Sequence, residues 1–358
     1  MDKYGPERLL QAYEPKTGGL GLLVIDNTTL GPGLGSLNVL EKVTIEKASS
    51  LARRYTLMNS LQGVPFGGAC ACILKGADLK AGLEDFALSV GPLSNKGFIA
   101  LPGTSVGEDV MEAYAYACGD VRGAVGKPSR LKGIPFEVGA VGLGIAHCAL
   151  ATLNFLKLGG GKASVFGMGR DGLFAARTLA KNGIEVVAAA DSEGATVNPE
   201  GLDIESLANL INSGGRIEAF PRGMSATVEQ ALAERVDLMV LAGDGFINRM
   251  VANEIKPRVV LEGTLGAVDR ESESMLEARG IIVIPDILAC GGASISAHVE
   301  YIGGNVVDMT EILANSVKRT TISVLEEPGK SFVEGAERIA FRRMDEEAGK
   351  AKETLAGV

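Results

Sequence analysis

The sequence has no tryptophan, only two histidines and no block of basic residues, and each shortage removes a class of function. With a formal net charge of −9, the chain has no basic surface with which to neutralise phosphates, which excludes a nucleic-acid partner. The five cysteines include no CxxC pair, so no metal site is expected from their spacing. Their odd number and lack of framework spacing point away from disulfides. The opening residues, MDKYGPERLLQAYEP, lack the apolar core of a signal peptide, and no run reaches the ~18 apolar residues of a membrane span. These absences predict a cytoplasmic protein with no membrane partner.

What is present is a well-buried globular composition. The apolar share of 46 % and the charged share of 22 % argue against disorder, and 358 residues suffice for two domains with separate cores. Glycine is frequent, at 48 residues, without an every-third spacing, so it marks tight turns and close backbone approach.

The first portion alternates strands and helices. LGLLVID reads as a compact apolar strand that ends in the Gly/Pro turns of NTTLGPGLGSLNV. Residues 43–62 suit a helix, ACACIL a buried strand, GLEDFALSVGPLSNK a helix, GFIALPGTS a short strand, and EDVMEAYAYAC a helix. The Gly/Pro-rich segment 123–136 reads as a link between domains, followed by the apolar helix VGAVGLGIAHCALATLNFLKLG. His147 and Cys148 on that helix read as core residues. The expected domains are 1–130, 131–325, and a C-terminal segment 326–358.

The second half carries a fingerprint. Gly167, Gly169 and Gly172 satisfy GxGxxG after the strand KASVF and at the start of the helix DGLFAARTLAKNG. Asp191 closes the next strand, EVVAAAD, about 20 residues on. Gly167 makes the tight turn, Gly169 admits a pyrophosphate, and Gly172 lets helix and strand pack closely. Asp191 accepts hydrogen bonds from ribose hydroxyls. Its charge, with that of Glu193, favours NAD over NADP, and no Arg or Lys follows closely to clamp a 2′-phosphate. VDLMVLAG, RVVLEGT and GIIVIPDILACGG read as further strands, giving a doubly wound α/β sheet from about 160 to 290.

Taken in order, these motifs resemble the Glu/Leu/Phe/Val dehydrogenase family of NAD(P)-dependent amino-acid dehydrogenases, over nearly the whole chain. DNTTLGPGLGSLNV looks closest to the leucine dehydrogenase branch, VPFGGACACI to the family's substrate motif, FGMGRDG to its nucleotide turn, and VVLEGTLGAVD and GIIVIPDILACGGA to its late motifs. The resemblance implies a homo-oligomeric oxidoreductase of two-domain subunits: an α/β substrate domain, a Rossmann domain, and a last helix returning to the first. It implies a small-molecule substrate in the cleft between domains, at Met58, Gly67, Gly68, Gly103 and Ser294. It implies dinucleotide contacts at Gly167, Gly169, Arg170, Asp171, Gly172, Asp191, Ala242, Gly243 and Glu262.

The departures from the family pattern are as specific as the matches. Met58, in Thr56-Leu57-Met58-Asn59, stands where the family has a carboxylate-binding lysine. Cys70 follows Gly67-Gly68-Ala69 where the family has its catalytic lysine. Pro102-Gly103 replaces the run with the proton-shuttling acid, and Cys290 replaces the asparagine of Asn-Ala-Gly-Gly in a run one residue shorter. Loss of the cation at 58 forfeits a charge-assisted hydrogen bond worth roughly 1.5–3 kcal/mol. Loss of the acid–base groups forfeits typically ~10²–10⁴-fold in rate. Cys70 and Cys72, two apart on a strand, share a face. They read as small apolar filler, as a reactive thiol, or as part of a soft-metal site; with Cys290, Cys70 is the candidate catalytic residue, expected in the cleft. Lys75 is a substitute base or a solvated strand end. Two functions follow: an NAD-dependent oxidoreductase of a non-standard amine, imine, alcohol or carbonyl compound, or a catalytically silent dinucleotide-binding homologue with a regulatory or assembly role.

Overall fold

A computed structural model describes residues 2–15, 18–75, 79–158 and 161–356, with the backbone alone for 351–356. It divides into two compact units. The first comprises Met1–Val138, Ser294–Ile312 and Glu337–Val358; the second comprises Gly139–Ala293 and Leu313–Ala336.

The first unit contains β1 (Arg8–Glu14), β2 (Gly19–Asn27), β3 (Gly33–Leu40), α1 (Ile45–Gln62), β4 (Gly67–Leu74), α2 (Leu79–Val90), β5 (Phe98–Pro102) and α3 (Glu108–Ala117). Its mixed sheet runs β1-β2-β4-β3-β5, with β1 and β2 antiparallel to their neighbours and β3 parallel to both β4 and β5. Side-chain alternation along β4 divides the core. Ala69, Ala71 and Ile73 pack with Phe86, Met111 and Tyr114 of α2 and α3, while Cys70 and Cys72 pack with Ala48 and Ala52 of α1. Thr44 caps α1 by accepting from Lys47 N, and Gly63 ends it in the left-handed region at φ 71°.

Two expectations are corrected here, and one element is added. Within GPGLGSLNV only Gly31 and Pro32 form a bend; from Gly33 on the stretch is the strand β3 rather than turns, because Gly35 lets two backbones meet: a Cβ there would lie 1.6 Å from Ala69 O. The segment around LLQAYE forms β1. The division between units falls at 138/139 rather than 130/131. Residues 121–138 form short 3-10 turns that belong to the first unit, where Lys127 pairs with buried Glu300.

The second unit contains α4 (Ala140–Phe155), β6 (Lys162–Phe166), α5 (Arg170–Lys181), β7 (Glu185–Ala190), β8 (Ala195–Val197), α6 (Ile204–Asn212), β9 (Met224–Ala226), α7 (Val228–Leu232), β10 (Leu238–Leu241), α8 (Arg249–Glu254), β11 (Val259–Glu262), α9 (Arg270–Ala278), β12 (Ile282–Ile284) and α10 (Asp286–Ala289). Then follow α11 (Gly292–Tyr301), α12 (Val306–Glu326) and α13 (Phe332–Ala356), whose residues are shared between the units as given above. Strand order is β12-β11-β10-β6-β7-β8-β9, parallel through β7, with β8 and β9 antiparallel at one edge.

The strand expected across GIIVIPDILACGG is shorter. It stops at Ile284 because Pro285 has no N–H for the ladder, and Asp286 turns the chain into α10 by accepting from Gly266 N (2.7 Å) and Ile287 N (2.6 Å). Contrary to expectation, Phe136–Phe155 is long and apolar enough to cross a membrane by length and composition. Its most apolar window is 67 % buried in the fold, and α4 packs on α5 so closely that a Cβ at Gly142 would lie 2.3 Å from Asp171 O. It is a core helix. His147 is half-buried and Cys148 fully buried on it.

Candidate dinucleotide and substrate sites

The turn after β6 is shaped by its glycines. Gly167 sits at φ 93°, and its N–H donates to Ala190 O of β7 (2.8 Å). A Cβ on it would lie 2.6 Å from both the Ala242 carbonyl carbon and Gly243 N, at the end of β10. A Cβ on Gly172 would lie 2.0 Å from Gly167 O. Gly169 is different: a Cβ there meets nothing within 4 Å. The space over the turn is open where the first N–H groups of the 12-residue helix α5 point outward without intrahelical partners. β7 and β10 flank β6 on opposite sides, so the turn lies at the switch point of strand order where doubly wound sheets bind ligands. Arg170 pairs with Asp171 (3.2 Å) in the first turn of α5.

Asp191 follows β7 directly. Its Oδ1 accepts from Glu193 N (2.8 Å) and Gly194 N (3.0 Å), which fixes the carboxyl at the strand end. Beyond it lies a cavity of about 410 Å³ whose lining includes Ser192, Glu193, Gly194, Glu218, Thr227 and Glu229. An open backbone cradle, a fixed carboxylate and an adjoining cavity fit a dinucleotide. Glu262, at the end of β11, is fully buried. Cys290 Sγ contacts Glu262 O (3.9 Å), and burial, together with the nearby acids Asp286, Asp171 and Glu262, pushes its thiol pKa well up.

In the first unit, four of the positions expected to meet substrate, Met58, Gly67, Gly68 and Ser294, are buried, and Gly103 is half-buried. Met58 lies within an unbroken buried stretch at the C-terminal end of α1 and has no exposed surface. Arg343 of α13 closes that end by donating to Ser60 O (2.9 Å) and Leu61 O. Gly67 and Gly68 are required by contact rather than by ligand: Cβ atoms there would lie 1.8 Å from Asn27 O and 2.1 Å from Thr56 N. Cys70 is fully buried, not on an open surface. Its Sγ lies 3.8 Å from both Cys72 Sγ and Ser36 Oγ, and the bond to Cys72, with burial, raises its pKa well above the ordinary thiol value. Lys75 is exposed and pairs with Glu41 (2.8 Å), as a solvated strand end does.

Residues that sequence reasoning passed over organise this region. Asn59 Nδ2 donates to Gly67 O (2.6 Å) and Leu34 O (3.2 Å), while its Oδ1 accepts from Ser294 Oγ (2.6 Å). One buried amide thus joins α1, the glycine pair and Ser294. Asn38 Nδ2 donates to Ala71 O (3.0 Å) and Cys70 Sγ (3.5 Å), and its Oδ1 accepts from Thr104 N (3.0 Å), next to Gly103. His298, one helical turn beyond Ser294, stands edge-on to Phe66, and burial lowers its pKa, so it is neutral at pH 7. Asn59 was visible inside the Thr-Leu-Met-Asn run; nothing marked Asn38 or Glu300. Among the described residues, no group of three or more His, Cys, Asp and Glu could hold a metal ion.

Residues 133–351 match the sequence profile of the Glutamate/Leucine/Phenylalanine/Valine dehydrogenase family. A glutamate dehydrogenase of Thermotoga maritima is 32 % identical over 302 residues, covering 79 % of this chain and 72 % of that protein. An NADP-specific glutamate dehydrogenase of Saccharolobus shibatae is 29 % identical over 320 residues, covering 83 % and 75 %. Among solved structures, hetero-hexameric glutamate dehydrogenase from Thermus thermophilus in a Leu-bound form superposes with a TM-score of 0.83 at 25 % identity, covering 96 % of this chain and 89 % of that one. L-tryptophan dehydrogenase from Nostoc punctiforme shares the fold, with a TM-score of 0.70 at 18 % identity and coverage of 97 % and 98 %. The two-domain α/β fold, the glycine turn and these relatives together place the chain in the Glu/Leu/Phe/Val dehydrogenase family of dinucleotide-dependent oxidoreductases.

Proposed function

We propose that this protein is an NAD-dependent oxidoreductase whose substrate is an amine, imine, alcohol or carbonyl compound lacking the α-carboxylate of an amino acid. One contrast carries the reading. The dinucleotide turn Gly167–Gly172 and Asp191 are intact, while positions 58 and 70 hold enclosed, uncharged side chains. Bound NAD would supply hydride acceptance at its nicotinamide ring. Asp191 would hold the adenosine ribose through Oδ2, since Oδ1 is engaged by two backbone N–H groups. The start of α5, with Gly169, would face the pyrophosphate, and Ala242, Gly243 and Glu262 would border the other half. Asp191 and Glu193 support NAD over NADP; the NADP specificity in the name of the Saccharolobus relative belongs to that protein.

A homo-oligomeric, cytoplasmic protein is part of the same reading. Five free, buried cysteines suit a reducing compartment, and exposed Leu9 and Tyr13 on the edge strand β1 suit association with further copies.

A second reading is supported by the chemistry at position 70. A buried thiol with raised pKa moves protons poorly at neutral pH, and Lys75 is committed to Glu41, so a silent dinucleotide-binding homologue would look like this. A turnover panel of amines, carbonyls and amino acids with NAD or NADH, run beside thermal denaturation with and without NAD, separates the two. Stabilisation with turnover of a non-amino-acid substrate supports the first, and stabilisation without any turnover supports the second. No stabilisation by NAD removes both.

A further inference from the structure

We propose that Glu218 is a specificity-determining residue that sets the preference for NAD over NADP; the inference rests on the dinucleotide reading of the second unit. Glu218 lies 27 positions beyond Asp191, outside the strand-turn-helix motif, in the 3-10 turn Ile217–Ala219. The fold carries it back to the strand end, where it lines the cavity beyond Asp191 together with Glu193 and Glu229. Gly194 is the point of contact, since a Cβ built there would lie 3.0 Å from Glu218 Oε2.

The two oxygens of Glu218 are differently engaged. Oε1 holds the guanidinium of Arg216 in an ion pair, while Oε2 is enclosed and has no hydrogen-bond partner. A carboxylate lining this cavity opposes a 2′-phosphate, which is an acceptor and carries charge of the same sign, and tolerates the free 2′-hydroxyl of NAD. Arg216 gives the residue a second effect. An arginine near the end of this strand is what accommodates a 2′-phosphate in dinucleotide sheets. Here the fork is bound to Glu218, so the carboxylate both repels the phosphate and occupies the nearby cation.

The two effects predict a particular pattern of variants. Glu218→Gln removes the charge and releases Arg216, and should lower the ratio of NADP to NAD dissociation constants about tenfold or more. Arg216→Ala retains the carboxylate and should leave NAD preferred at least as strongly as in the wild type. The double variant should lie between wild type and Glu218→Gln, because the repulsion is gone but no cation is released. Isothermal titration of each protein with NAD and with NADP reads these ratios without any substrate. A wild type that binds neither dinucleotide refutes the cofactor reading and this inference with it. A wild type that binds NAD, with a ratio unchanged within twofold in Glu218→Gln, overturns this inference alone.

Discussion

Replacing Gly169 by alanine separates a glycine kept for a ligand from one kept for the fold. Its backbone lies at φ −70°, ψ −168°, a region open to any L-residue, and a Cβ there meets nothing within 4 Å. Alanine should therefore fold at least as well as glycine, gaining about 0.4–1 kcal/mol through a less flexible unfolded chain. A pyrophosphate that hydrogen-bonds the backbone must approach to about 2.9 Å, and a methyl group stands in that space. Moving the phosphate out of reach loses one or two charge-assisted bonds, each roughly 1.5–3 kcal/mol. NAD binding should weaken about 10- to 100-fold at the lower end of that range, since ~1.4 kcal/mol is a decade. Gly172→Ala is the contrast: its Cβ would lie 2.0 Å from Gly167 O, so overpacking should cost about 1–3 kcal/mol in stability as well as binding. Calorimetric titration with NAD and thermal denaturation of both variants supply the two numbers. Gly169→Ala binding NAD within twofold of the wild type would refute the placement of the pyrophosphate.

Glu300→Ala should destabilise by about 3–5 kcal/mol, because it strands the buried Lys127 ammonium and the N–H groups of Gly126 and Ile134. Thermal denaturation should then fall by roughly 6–20 °C, Lys127→Met in the same chain should restore part of it, and a loss under 1 kcal/mol would contradict the pairing. Burial pushes the Cys148 thiol up to about 12, so its contribution to stability is whole below the ordinary thiol value of about 8.5 and is lost as pH rises toward 12. Relative to Cys148→Ala, the wild type should lose about 2 kcal/mol between pH 8 and 10.5 in urea titrations; parallel pH profiles would count against this. Native protein should resist iodoacetamide at all five cysteines and react fully after unfolding, since every thiol is buried. Prompt alkylation of Cys70 in the folded protein would return it to the list of reactive groups.

The parts of the fold legible in the sequence are those specified by neighbours in the chain. The turn between β6 and α5 could be read because glycine spacing, an apolar strand and a closing acid all lie within about 30 residues. Helices α1 and α4 could be read from their period and length. β3 could not, because Gly33 and Gly35 look like turn residues until β4 is seen against them: only the partner backbone at Ala69 explains why no side chain fits. The Lys127–Glu300 pair was hidden for a similar reason, since its partners lie 173 residues apart and each alone reads as an ordinary charged residue. Met58 and Cys70 stand out in the sequence as departures from the motifs that it resembles. Their complete burial depends on how α1 lies on β4, which no local pattern encodes.

That burial also bears on which side chains positions 58 and 70 can hold. A lysine at position 70 would direct its stem among Leu22, Val24, Ala48 and Ala52, and its other contacts, Ser36, Asn38 and Cys72, are neutral. Lys47, which also acts electrostatically on Cys70, has the same sign as an ammonium. Desolvating an ammonium without a partner costs several kcal/mol, so the present surroundings oppose a lysine at this position. Cys70 and Cys72 answer the demand for small, weakly polar volume between sheet and helix, with Asn38 satisfying β4 at Ala71 O and steadying the sulfur. The helix, the strand and the amides around them are mutually fitted to a neutral interior, while the dinucleotide turn retains its open cradle and fixed carboxylate.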